Sequence, residues 1–504
     1  MMNISIYLEP IHKAEELIVK LLKDEFDIDS SDAHSLYEHE ISKHFVKLID
    51  NCFLLAETNY VDKVYRDSYY HYYSSKLGDY KRDCIRISIF EGVILQSDFG
   101  DSNKQAKLQD QYRGFIVLRP TFPYIIGRSI ISPLVLKNHD FHCCTAVFNT
   151  TANAQKFIVR GFPHSSQDTE TNSCAETTIW ALMEYFGNKY TEYKPVLSSK
   201  IIQTLNIVSF ERQIPSKGLN IYQMSFALKE FGFGTRIYSR AEYDSEFDSL
   251  LSCYIESGIP VIIALQGGTI GHALLAIGHE TVEDNMIDAI TPYFSTNKQL
   301  QDDIIHKNIT IYDYHSSVKD FIFIDDNHPG YQRAKLSSPA THYPAEWHNC
   351  AITYFIAPLY TKIYLEAYEA KKWILHFLVS GLHPLPNHSE VLLKLFLASS
   401  HSFKDEIAKN DTLESDFKDV VLETSMPRFI WVAELSTKEL MKQNRTNGVI
   451  ILDATEANTR FNKPLIIAWY EGALIKFDFS SGKLEKVLFP LSVFTVFQHN
   501  LKIL

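Results

Sequence analysis

Residues 161–187, GFPHSSQDTETNSCAETTIWALMEYFG, decide how this chain is read. A polar loop ends at Cys174, and Ile179, Leu182, Met183 and Phe186 follow at i, i+3, i+4, i+7. That spacing is one apolar face of a helix. Asn172 and Ser173 are suited to cap its start, and Gly187 to stop it. A cysteine in the first turn of a buried helix faces unpaired N–H groups and the positive end of the helix dipole. That setting favours thiolate over thiol and makes a better nucleophile. Gln167, seven positions earlier, is near enough to return an amide donor over the sulfur. With the Cys174 N–H it makes a two-donor oxyanion hole. By itself the cysteine reads equally well as a small buried hydrophobe.

Two downstream stretches tip the reading. SGIPVIIALQGGTIGHALLAIGHE (257–280) holds two apolar strand-like runs, 259–265 and 273–277, with His272 leading the second and Gly267, Gly268 and Gly271 before it. FIFIDDNHPGY (321–331) is a short apolar strand ending in Asp325, Asp326 and Asn327. Nucleophile on a helix start, base leading a strand and an acid or amide ending the next is the order of a Cys-His-Asp/Asn site.

These residues resemble the papain-like cysteine peptidase superfamily, closest to its bacterial branch of bacteriocin-processing-type peptidases. The likeness spans roughly residues 155–360, with Gln167 as the oxyanion glutamine, GHALLAIG as the histidine strand and IDDN as the acid position. The resemblance implies an α+β fold, in which a helix carrying the cysteine packs on an antiparallel sheet carrying the histidine and the acid. It implies thioester acyl transfer by Cys174, His272, Asp326 and Gln167, with no cofactor and no metal. Strand alternation sets Asp325 and Asn327 on one face and Asp326 on the other, and the resemblance selects Asp326 as the orienting acid over Asp325. Water resolving the thioester gives a peptidase or isopeptidase, and an amine gives a transferase. The competing reading is a papain-like binding or scaffold module with an unreactive Cys174 in a bacterial regulatory or defence system. The chain differs from the family in Ala175 after the cysteine and in residues 279–320, read as an insertion able to cover the site or bind a partner.

Composition is compatible with a multi-domain folded chain. The 504 residues are 45% hydrophobic and 13% aromatic, enough for packed cores and a prior of two to four domains. A net charge of −12 argues against a nucleic-acid binder. Seven cysteines at irregular spacing, without CxxC or zinc spacing, fit free thiols in a reducing, cytoplasmic setting. His139 and His142 precede Cys143 and Cys144, which reads as packing in a β region in preference to a metal site. No run reaches the length of a membrane helix, and the first twenty residues lack a signal-peptide pattern. The expected partners are a peptide or protein substrate, with protein partners through the flanking regions.

Four regions are expected. Residues 1–82 read as helical, including 11–25 and 32–57, and end in a tyrosine cluster (Tyr60, Tyr65, Tyr69, Tyr70, Tyr72, Tyr73) suited to a domain seam. Residues 83–154 read as β-rich, with Arg113, Arg119 and Arg128 pinning turns or gripping an anion. Residues 155–360 form the catalytic domain. In 361–504, KIYLEAYEAKKWILHFL and SEVLLKLFLASS read as helices, and RFIWVAEL, GVIILDAT, PLIIAWYEG, ALIKFDFS and KVLFPLS as strands. Asp453 reads as a strand-end cap.

Overall fold

The computed structural model describes residues 5–501, apart from 79, 387, 414, 479–482, 489–492 and 498–499. The fold is mixed α+β, built on three seven-membered sheets. The first sheet is antiparallel throughout. Its order is Ile6–Pro10, Cys52–Tyr60, Cys84–Glu91, Tyr112–Leu118, Ser129–Ile131, Gln155–His164, Ala146–Ala152. Helix Ala14–Phe26 buries Leu17, Ile18, Leu21 and Leu22 against its edge.

This sheet corrects two expectations. The helical pattern of 32–57 stops at Val46, and Cys52–Tyr60 is a strand paired on both sides. Leu54, Leu55 and Ala56 are consecutive and fully buried. An apolar run buried on both faces carries no period to separate strand from helix. The strand Gln155–His164 belongs to this first sheet and not to a unit starting at residue 155. It then leads straight into the loop that carries Gln167.

The central sheet runs Gln332–Lys335, Asp320–Ile324, Ile270–Glu280, Val261–Gly267, Ala351–Tyr360, Phe233–Ser239, again antiparallel, and Phe141–Cys143 crosses from the N-terminal part to pair with Gly278–Glu280. Helix Cys174–Lys189 lies between the first and central sheets, touching Ala146–Ala152, Gln155–His164 and Ile270–Glu280. It is therefore buried nearly all round from Ala175 to Phe186, not on one face alone. Of its two buried acids, Glu176 lies in the first turn and Glu184 is paired with Arg128 at 2.9 Å.

The third sheet runs Thr310–Asp313, Glu390–Ser399, Phe429–Ser436, Gly448–Asp453, Leu465–Tyr470, Ala473–Asp478, Lys483–Leu488. Its first pair is parallel. SEVLLKLFLASS, expected as a helix, supplies the strand Glu390–Ser399, because its continuous apolar run is paired on both sides. Of KVLFPLS, residues 489–492 lie outside the described residues. Within 279–320, strand Thr310–Asp313 joins the edge of this sheet, and helix Lys298–Lys307 packs on helix Ala367–Val379. Lys371 fixes the junction, bonding Asp313 and Glu246 at 2.6 Å each. The segment ties the central sheet to the C-terminal one.

Candidate active site

Cys174 is the first residue of its helix, and Ser173 is the cap. Glu176 closes a capping box, accepting from the Ser173 N–H at 3.1 Å. Ahead of it, the loop winds around the buried carboxylate of Asp168. One oxygen of Asp168 accepts from the N–H groups of Glu170, Thr171 and Asn172 at 3.0, 2.7 and 2.8 Å. Arg119 holds the other end of the loop. Its guanidinium donates to the carbonyls of Ser166 and Gln167 at 2.8 and 2.9 Å, and to Tyr124 at 3.2 Å. Arg113 pairs with Glu91, so all three arginines meet partners within the fold. Tyr72 donates to Glu170 at 2.6 Å, which sets the tyrosine cluster against this same loop.

Cys174 is half-buried, whereas the other six cysteines are buried. All seven are free. Burial pushes the Cys84, Cys143 and Cys253 thiols well up, and that of Cys52 up to about 12. These are inert by environment. Cys143 ends the strand that pairs with Gly278–Glu280, and buried Cys144 follows it.

His272 lies on Ile270–Glu280, opposite Leu265. The turn before it is tight: Gly268 has φ +60°, and a side chain on Gly267 would meet Cys350 at under 3 Å. Thr178 of the cysteine helix donates to the Ala273 carbonyl at 3.1 Å, locking the helix start to the histidine strand. Burial acts to pull the His272 pKa down. The Asp325 charge and hydrogen bond, a hydrogen bond with Cys174 and the Asp326 charge outweigh it and hold the value well above the usual histidine range. Cys174 is thus among the groups that act on the His272 ring.

The acid is where the geometry departs from expectation. Asp325 Oδ1 is hydrogen-bonded to His272 Nε2 at 3.1 Å. Asp326 Oδ1 lies 3.6 Å from the same nitrogen, and neither Asp326 oxygen has a hydrogen-bond partner. Strand alternation does not reach these acids, because the strand ends at Ile324 and the chain turns at Asp326. The antiparallel register sets Ile324 opposite Leu275, so the next residues arrive beside His272. Asp325 is fully buried, yet His272 and His342 hold its carboxyl well below the usual range. Burial pushes Asp326 up to about 7, against the pull of His272 and with a push from Asp325. One carboxylate is ionised and bonded; the other is poised near neutrality.

Gln167 also meets this cluster. Its Nε2 donates to Asn327 Oδ1 at 2.8 Å, and Asn327 N–H donates to Asp325 at 3.0 Å. The segment THYPAEWHN (341–349) supplies groups that sequence reasoning missed. The Tyr343 hydroxyl reaches both Asp325 oxygens, at 2.8 and 2.7 Å, and lies 3.1 Å from His272 Nε2. Trp347 stacks on Tyr343 at 4.1 Å and stands edge-on to His272 at 5.6 Å. His342 Nε2 is 3.2 Å from Asp325 Oδ2. The one sequence signal was the density of His, Tyr and Trp between two strands.

Asp453 accepts from the Thr455 N–H at 2.7 Å, which is a turn cap. Among the described residues, no helix is long and apolar enough to cross a membrane. Compared with known proteins, the chain matches no family model, and no curated protein matches it significantly.

Proposed function

We propose that this protein is a cysteine hydrolase of papain-like architecture, cleaving a peptide or isopeptide bond through a thioester. One observation carries the reading: a half-exposed cysteine at a helix N-terminus acts on an imidazole whose Nε2 is held by a buried, ionised aspartate. Helix dipole and imidazolium both stabilise a thiolate at Cys174. The thiolate attacks the carbonyl carbon, and the electron pair moves to the carbonyl oxygen. The Cys174 N–H is one donor for that oxyanion. Gln167 Nε2 carries two hydrogens and gives one to Asn327, which leaves the second for the oxyanion. Collapse breaks the C–N bond, and His272 passes its proton to the leaving amine. Water, deprotonated by His272, then attacks the thioester, and Cys174 leaves as the thiolate. Asp325 holds the imidazole in place and stabilises its charged form; Tyr343 and Trp347 keep water off the pair. An amine entering in place of water would make the same site a transferase.

A substrate-free test is available. Sub-stoichiometric iodoacetamide is applied across pH 5–9 and read by peptide mass spectrometry. Cys174 should label first and at low pH, and slow in His272→Ala. p-Nitrophenyl acetate should give a nitrophenolate burst that Cys174→Ala abolishes. Labelling of Cys174 no faster than of buried Cys52 or Cys253, or indifferent to His272, would refute the hydrolase reading and leave a binding module.

A further inference from the structure

Asp325 has two faces. Oδ1 serves His272, while Oδ2 meets the Tyr343 hydroxyl at 2.7 Å and His342 Nε2 at 3.2 Å; His342 and the adjacent His328 have no role in the proposed reaction. One ligating atom each from Asp325, His328 and His342 lies within 4.8 Å of the other two. The His328 and His342 rings meet edge to face at 4.7 Å. Asp325 forms the closed floor of the group, and the two half-buried histidines form its open side. His342 Nδ1 is buried without a hydrogen-bond partner.

We propose that Asp325, His328 and His342 form a binding site for a zinc-type divalent cation that restrains the neighbouring cysteine. Two imidazoles and a carboxylate are the donor set of a borderline cation such as Zn²⁺, and not of Mg²⁺ or Ca²⁺, which take oxygen ligands. The spacing fits. Tetrahedral bonds of about 2.0–2.1 Å put neighbouring ligand atoms about 3.3–3.4 Å apart. His342 Nε2 and Asp325 Oδ2 are already 3.2 Å apart. A His328 ring nitrogen, within 4.8 Å of the other two ligand atoms, is the third ligand, with water in the fourth position. On coordination through Nε2, the His342 ring proton moves to Nδ1, so no oxidant or co-reactant is needed.

The second candidate group, His272 with Asp325 and Asp326, shares the same aspartate but is buried at every ligand. It has no open side comparable to the histidine pair. A cation on Oδ2 draws the Asp325 charge away from His272. The His272 ring then loses its hold on the carboxylate that positions it for Cys174. This regulatory effect rests on the cysteine hydrolase reading; binding of the cation does not.

The test uses the full chain and the metals alone. Co²⁺ is titrated with visible absorption as the readout, and Zn²⁺ by calorimetry, on wild type, Cys174→Ala, His328→Gln and His342→Gln, each checked for an unchanged melting temperature without metal. One equivalent of Co²⁺ should give a tetrahedral band without thiolate-to-cobalt charge transfer. Cys174→Ala should keep the band. Each glutamine variant should weaken binding at least about tenfold. Saturating Zn²⁺ should slow Cys174 alkylation about tenfold in wild type and leave the His342→Gln rate unchanged. A thiolate-to-cobalt band, loss of binding in Cys174→Ala, or unchanged affinity in both glutamine variants would overturn the site. Binding without any effect on alkylation would overturn the restraint. If metal-free Cys174 labels no faster than the buried cysteines, the hydrolase reading fails, and with it the restraint, while the Co²⁺ spectrum still decides the site.

Discussion

Replacing each acid beside His272 by its amide separates their roles. Asp325→Asn keeps the size of the side chain and removes its charge. The His272–Asp325 contact is 3.1 Å. Two unit charges at that distance interact by about 5 kcal/mol at an effective dielectric of about 20. The amide dipole and entering water recover part of this, leaving a loss of about 3 kcal/mol. At about 1.4 kcal/mol per unit, the His272 pKa falls by roughly two units. The imidazolium–thiolate pair then becomes up to about a hundredfold less favoured against the neutral pair. The alkylation rate of Cys174 should fall by up to that factor below the ordinary thiol range. Asp326→Asn should behave differently. Asp326 accepts no hydrogen bond and titrates at about 7, so near pH 6 it is mostly protonated already. Its replacement should change the rate by less than about threefold at pH 6. The assay is the pseudo-first-order iodoacetamide rate from pH 4.5 to 8.5, with circular dichroism as the fold control. A larger loss in Asp326→Asn than in Asp325→Asn would refute the assignment of Asp325 as the orienting acid.

Other outcomes follow from the same geometry. Gln167→Ala should reduce the p-nitrophenyl acetate burst rate about a hundredfold, because an oxyanion donor contributes about 3 kcal/mol. Alkylation, which forms no oxyanion, should be nearly unaffected; equal losses in both would remove Gln167 from the oxyanion role. Glu434 is buried in the third sheet, where burial raises its pKa to about 7 from the ordinary 4.5 despite the pull of Lys394. The folded state therefore holds a proton that the unfolded state releases between about pH 4.5 and 7, so Glu434 costs stability increasingly as pH rises through that window. Glu434→Gln should raise the unfolding free energy at pH 8 by about 2–3 kcal/mol and leave it nearly unchanged at pH 4; denaturant melts at the two pH values check the difference. Lys371→Met leaves the buried Asp313 and Glu246 carboxylates without their cation. It should lower stability by about 3–5 kcal/mol at neutral pH, and less in acid, as Asp313, no longer held down at about 2 by the lysine charge, protonates. A loss that does not shrink on acidification would show packing, and not charge, as the cause.

The sequence by itself placed Cys174 at a helix start, because an amphipathic period and Asn or Ser caps are local signals. It placed His272 on a strand and an acid at the end of the next for the same reason. It also identified the C-terminal strands from Arg428 on and the helix at Ala367–Val379. It mistook Cys52–Tyr60 and Glu390–Ser399 for helices. Strands paired on both sides are apolar on both faces, and such a run has no period until its neighbours are known. The tertiary structure alone showed that Asp325, and not Asp326, hydrogen-bonds His272. Alternation holds only while a strand continues, and here pairing ends at Ile324. The chain then turns, and distance to His272 follows the turn. Tyr343, Trp347 and His342 were illegible for a related reason. They lie far along the chain in an irregular segment, and only the sheet, closing between Gln332–Lys335 and Ala351–Tyr360, brings them over the imidazole. Local chemistry is written in spacing along the chain; which carboxylate, hydroxyl or ring faces a given nitrogen is set by packing between segments that are remote in sequence.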